Sequence, residues 1–154
     1  MSRSIGTMAI DLAAASVLVV EDHDFTRNLI LSVLRKIGVG SVREAASGPA
    51  AFRILGIAPV DVILCDIGMK PMDGITFLRR LRAGQPPPPE EGAQPVPPDA
   101  IDPKTPVIML TAHTEADIVT RAHGAGATAF LVKPIKPDLL RSRIEAVLAA
   151  RRRG

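Results

Sequence analysis

With 154 residues, 47% of them hydrophobic and 23% charged, the chain has room for one core and the composition of an ordinary soluble globular protein. Its 19 basic and 16 acidic residues leave a formal charge of only +3, much of it in Arg151, Arg152 and Arg153, which read as a solvated helix end and give no reason to expect direct DNA binding. The single cysteine, Cys65, excludes an intrachain disulfide and fits a reducing, cytoplasmic setting, and no apolar run is long enough to insert across a membrane.

Residues 1–15 carry no strong period and read as a loose N-terminal extension. Leu12 to Val20 has the length of a signal-peptide core, with Arg3 ahead of it, but Asp11 interrupts the approach and Glu21-Asp22 stand where small residues are needed. Val17–Val20 is better read as a strand covered on both faces. Asp24 is placed to cap a helix with apolar positions at Leu29, Ile30, Val33, Leu34 and Ile37, ended by Gly38. Ser41–Ala45 is a weak second strand, Pro49–Leu55 a short helix with proline in its first turn, and Val60–Cys65 an almost wholly apolar third strand. Ile75, Phe77, Leu78 and Leu81 mark a third helix. Val107–Leu110 and Ala129–Val132 are strands, Glu115–Ala125 a helix between them, and Asp138–Arg152 a last helix with Leu140, Ile144, Val147 and Leu148 along one side.

Five strand-then-helix units predict a parallel sheet with helices on both faces, in one domain over residues 16–152. One segment interrupts the pattern. Between Gly84 and Lys104 stand Pro86, Pro87, Pro88, Pro89, Pro95, Pro97, Pro98 and Pro103, too dense for helix or central strand. It predicts a solvated insertion of polyproline character, on the amino side of the sheet and dispensable for folding.

In such sheets chemistry lies beyond the carboxyl ends of the strands. The first strand ends in Glu21-Asp22, the third in Asp66, the fourth in Thr111 and the fifth in Lys133. Each alone has an ordinary explanation in capping, turns or solvation, but together they converge on one edge. Crowded carboxylates call for a cation, and Mg²⁺ takes oxygen ligands while keeping several waters. Lys133 brings a mobile positive charge, Thr111 a hydroxyl donor, and Asp66 a carboxylate able to form an acyl phosphate. His23, His113 and His123 form no metal-binding pattern by their spacing.

Val19-Val20-Glu21-Asp22, Ile63-Leu64-Cys65-Asp66-Ile67-Gly68-Met69-Lys70-Pro71-Met72-Asp73-Gly74, Met109-Leu110-Thr111-Ala112 and Phe130-Leu131-Val132-Lys133-Pro134 together resemble the receiver domain of two-component response regulators. The resemblance implies a flavodoxin-like (βα)5 fold, a doubly wound parallel sheet in the order 2-1-3-4-5. It implies that Asp66 is the phosphoacceptor. Asp22 and Asp66 would hold Mg²⁺ directly, with the backbone carbonyl of Gly68, and Glu21 would act through water. Lys133 would pair with the acidic cluster, Lys133-Pro134 would be a cis peptide, and Thr111 and Phe130 would be the conformational switch pair. The implied partners are a sensor histidine kinase or a histidine phosphotransfer protein as donor. A downstream target protein would bind the face formed by the fourth helix, fifth strand and last helix. A receiver of this kind, standing alone, is not a turnover enzyme and catalyses only its own phosphorylation and dephosphorylation.

The sequence departs from the family pattern at Lys70, where proline is usual, at Gly68, in place of a side chain that often covers the phosphoryl group, and at His113. Two rivals stand beside this reading. One is a pseudo-receiver that binds without being phosphorylated. The other is a haloacid-dehalogenase-like phosphatase using Asp22, for which Asp22-His23-Asp24 and Thr26 mimic the D-x-D segment.

Overall fold

The computed structural model describes residues 10–112 and 116–153. Five parallel strands, β1 (Ser16–Val20), β2 (Ser41–Ala45), β3 (Val62–Asp66), β4 (Val107–Thr111) and β5 (Ala129–Val132), form one sheet in the order β2-β1-β3-β4-β5. The helices are α1 (Asp24–Lys36), α2 (Gly48–Ile57), α3 (Gly74–Ala83), α4 (Ala116–Gly124) and α5 (Pro137–Arg153). Every residue of β3 and β4 is buried, because both sheet faces are covered. Alternate residues serve two cores. Leu18, Ile63, Cys65 and Met109 face α2, α3 and α4, while Val19, Val62, Leu64 and Leu110 face α1 and α5. With no Trp or Tyr in the chain, Phe52 of α2 and Phe77 of α3 supply the aromatic bulk of the first core, their rings tilted with centroids 5.1 Å apart.

Helix ends differ in small ways from the sequence reading. The residue flanking α1 is His23, whose side chain makes no capping bond, and Asp24 is already helical, its carboxylate 2.7 Å from the Arg27 guanidinium. Gly38, at φ +95°, follows the end of α1 in a backbone region that other residues avoid. Ser47 caps α2 through Ala50 N–H, and Asp73 caps α3 through Thr76 N–H at 2.8 Å. Of the predicted loose extension, residues 1–9 lie outside the described residues, as do His113 and Glu115. The remainder is not loose: Asp11 caps a 3-10 turn at Leu12–Ala14, Leu12 is buried, and Ile10 packs on the α1/α5 core. Arg151 is not merely solvated either, since it pairs with Asp102 at 2.7 Å.

The proline-rich insertion also packs on the body more than its composition suggests. Most of it is exposed, but Val96 packs against the core from over Gly56, and Ile101 is buried. At its exit Arg82, half-buried at the end of α3, donates to the carbonyls of Pro103 (2.9 Å), Thr105 (2.6 Å) and Gly126 (2.9 Å). Prolines exclude ladder hydrogen bonds, yet they leave apolar side chains between them free to pack. Replacing residues 86–98 by a short Gly/Ser linker is therefore expected to cost the half-buried Val96 contact. That is about 1 kcal/mol, or about 2–4 °C in melting temperature for a domain of this size. An unchanged melting temperature would show that the Val96 contact contributes nothing.

A carboxylate pocket at the carboxyl edge of the sheet

The strand order brings β1, β3, β4 and β5 side by side, so the polar residues that follow them meet. Glu21 continues β1 and is held there by its N–H to the Ala45 carbonyl at 3.1 Å. Asp66 closes β3 and Thr111 closes β4; both are buried, as is Glu21. Lys133 follows β5, its N–H donating to the Thr111 carbonyl at 2.8 Å. Its ammonium reaches across the edge to Asp66 Oδ1 at 2.9 Å and Glu21 Oε1 at 3.0 Å. Burial alone would lower the Lys133 pKa, but its bonds to Asp66 and Glu21 outweigh that, and the net shift is upward. Lys133 is thus a permanent cation at physiological pH.

Asp22 sits on the rim. Its Oδ2 accepts the Lys70 N–H at 3.2 Å, while Oδ1 is buried and has no hydrogen-bond partner. Two carboxylates share one ammonium, and one oxygen of the adjacent Asp22 has no hydrogen-bond partner. A hard dication fits that donor set. Of the residues expected to hold Mg²⁺, the structure joins Glu21 and Asp66 through Lys133, while Asp22 adjoins Glu21 and bonds the Lys70 N–H, and Gly68 is exposed two residues after Asp66. A side chain at Gly68 would stand 3.8 Å from Asp66 Oδ2, so glycine leaves that oxygen open to approach.

The neighbouring thiol is no competitor. Complete burial, followed by the charges of Asp66, Glu21 and Asp73, pushes the Cys65 pKa well up, so it stays a thiol. Lys133-Pro134 is cis, as the resemblance implied, and so is Lys70-Pro71. Phe130 is half-buried on β5, on the same sheet face as Thr111 of the neighbouring strand.

One residue escaped the sequence reading. Arg27, on the first turns of α1, donates to the Glu21 carbonyl (2.9 Å), to Glu44 of β2 (2.9 Å) and to Asp24 (2.7 Å). It pins the turn that carries Glu21 and Asp22. The i, i+3 spacing from Asp24 was the only signal for it in the sequence. The same bond removes the phosphatase reading. Asp24, the second carboxylate of the supposed D-x-D segment, is 84% exposed and turned to Arg27, away from the pocket.

Comparison with known proteins agrees. The family model of the response regulator receiver domain matches residues 17–90 and 99–145, passing over only part of the insertion between them. The chain is 30% identical to the chemotaxis protein CheY of Pseudomonas aeruginosa, over 85% of this chain and 94% of that protein. It is also 30% identical to the transcriptional regulatory protein ZraR of Escherichia coli, where the match spans only 26% of the larger protein. Among solved structures, chemotaxis protein CheY4 of Vibrio cholerae superposes with a TM-score of 0.71 at 30% identity, over 87% of this chain and 98% of that one. The receiver domain of a Pseudomonas aeruginosa sensor histidine kinase, described with a magnesium ion in its active-site cleft, gives 0.69 at 26% identity, over 88% and 98%. Receivers of this family are signalling modules that interact with histidine kinases or phosphotransfer proteins; they are not turnover enzymes. In fold, motifs and pocket alike, the chain belongs to the response regulator receiver domain family.

Proposed function

We propose that the protein accepts a phosphoryl group on Asp66 from a histidine kinase or phosphotransfer protein, and signals through a changed α4–β5–α5 face. The observation that carries this reading is the Lys133 ammonium set between Asp66 and Glu21, beside the orphaned Asp22 Oδ1. An Asp66 carboxylate oxygen attacks the phosphorus of a phosphohistidine. The P–O bond forms as the P–N bond breaks, and the imidazole nitrogen leaves with the electron pair and takes up a proton. Lys133 and the Thr111 hydroxyl then turn to the new phosphoryl oxygens. Mg²⁺, held by Asp22, Asp66 and the Gly68 carbonyl with Glu21 acting through water, would supply the charge neutralisation that lets an anion approach this cluster. Phe25 and Leu29 of α1, 77% and 54% exposed, lie on the helix that opens beside the pocket and offer a protein donor an apolar rim.

For the output, movement of Thr111 toward the phosphoryl group would free space for the Phe130 ring on the shared sheet face. Arg143 of α5 reaches the Phe130 carbonyl at 3.4 Å, so the last helix is in contact with the residue that shifts. Two states a few kcal/mol apart suffice for such a switch. The test is backbone amide NMR with a small-molecule phosphodonor. With Mg²⁺, shifts should change around Asp66 and also in α4, β5 and α5, and excess chelator should remove both. Thr111→Ala should keep the first set and lose most of the second. No change in the presence of Mg²⁺ would mean a binding module that is not phosphorylated, and changes confined to the Asp66 loops would disprove the output face.

A further inference from the structure

The backbone of Glu21 is held at both of its polar groups by way of the edge strand β2. Its N–H bonds the Ala45 carbonyl at 3.1 Å, and its carbonyl accepts from Arg27 Nη1 at 2.9 Å. Arg27 is in turn fixed by Glu44 of β2, whose Oε1 accepts from Nε at 2.9 Å. The guanidinium is largely covered, its side chain only 12% exposed. Its third bond ends on Asp24, a carboxylate standing in water, where the pair contributes little. The bonds to Glu44 and to the Glu21 carbonyl are therefore the ones that matter. Beyond Glu21 the contacts continue. Its Oε1 accepts from the Lys133 ammonium at 3.0 Å, and the same ammonium bonds Asp66 at 2.9 Å. Glu44, Arg27, Glu21, Lys133 and Asp66 thus form one polar chain from the outer strand to the carboxylate that is phosphorylated in the reading above.

We propose that Arg27 and Glu44 are positioning residues for phosphoryl acceptance: their grip on the Glu21 carbonyl sets where Glu21 holds Lys133 against Asp66. This rests on the reading of Asp66 as the acceptor, and adds to it residues of α1 and β2 that act only through other side chains. The role needs a guanidinium. Its planar fork serves the carbonyl with one nitrogen and Glu44 with another in fixed geometry, whereas a lysine ammonium is a point charge on a flexible stem. A small slackening is enough, since misplacing a reacting group by about 1 Å can cost about a hundredfold in rate.

The test uses the full chain as wild type, Arg27→Lys, Glu44→Ala and Asp24→Ala. Phosphoryl incorporation from a small-molecule phosphodonor is timed at one Mg²⁺ concentration, and each rate is scaled to the folded fraction. NMR of the Lys133 ε-carbon, taken before the donor is added, reports the ion pairs of that lysine. Arg27→Lys should slow incorporation about tenfold or more and Glu44→Ala about threefold, as a misplacement well under 1 Å would. Both should move the Lys133 signal, and Asp24→Ala should do neither. A role in stability alone would lower the melting temperature and leave both readouts at their wild-type values, which would overturn the proposal and leave the Asp66 reading standing. Slower incorporation with an unmoved Lys133 signal would overturn the route through Glu21. If Arg27→Lys does not fold, Glu44→Ala decides by the same two readouts. If wild type incorporates nothing, the acceptor reading falls and this proposal with it.

Discussion

Asp66→Ala should abolish phosphoryl incorporation, while Asp24→Ala should leave it intact. Both are aspartates near the same edge of the sheet, and the structure separates them. Asp66 is 6% exposed, at the end of β3, with Lys133 at 2.9 Å from one of its oxygens. Asp24 lies on the outside of α1 and is occupied by Arg27. A nucleophile needs a charge partner that can follow the transferred group, and only Asp66 has one. Cys65, adjacent to it, cannot substitute, because burial holds its thiol protonated. Mass mapping after exposure to a small-molecule phosphodonor with Mg²⁺ decides the matter. Label on Asp22, or label that survives Asp66→Ala at the wild-type level, would contradict the assignment.

Gly74→Val is expected to be strongly damaging although it lies outside the pocket itself. Gly74 is the first residue of α3, and its N–H bonds the Ile67 carbonyl at 2.9 Å. A Cβ there would collide with the carbonyl oxygen of Asp66 and come within 2.9 Å of the Ile67 Cα. These are backbone atoms that cannot swing aside, so either α3 moves away from the sheet or the end of β3 is displaced. Overpacking of this kind costs about 1–3 kcal/mol, and the branched side chain adds its own strain. Chemical denaturation should show that loss, and the variant should incorporate less phosphoryl group even where it is folded. Wild-type stability with normal incorporation would mean that the close approach is not needed.

The fold was legible because it is written in two periods. Val17–Val20 and Val107–Leu110 are apolar without alternation, which only strands buried on both faces need to be, and the helices carry their apolar stripes at helical spacing. The site was legible for the same reason: Asp66, Thr111 and Lys133 end strands, and strand ends share an edge. Less legible were residues whose role depends on neighbours distant in sequence. Arg27 matters through the Glu21 carbonyl and through Glu44 on another strand. Val96, half-buried and set among prolines, looked like part of a solvated segment because composition reports what the backbone cannot do and says nothing of where one valine packs.

The grip of Arg82 on the exit of the insertion has a further consequence. Together with the Arg151 to Asp102 ion pair, it anchors the returning chain to α3 and α5 before β4 begins. Gln85 is fixed at the other side by its N–H to the Arg80 carbonyl at 2.9 Å. Between these two moorings the chain from Pro86 to Ala100 joins no strand and touches the body through Val96 over Gly56 and the Glu90 to Arg53 pair at 3.6 Å. The protein therefore has a natural port for grafting. A foreign peptide could be spliced in near Gly92, or the backbone cut there, and the two pieces would stay assembled as one body, with the carboxylate pocket at the opposite edge undisturbed.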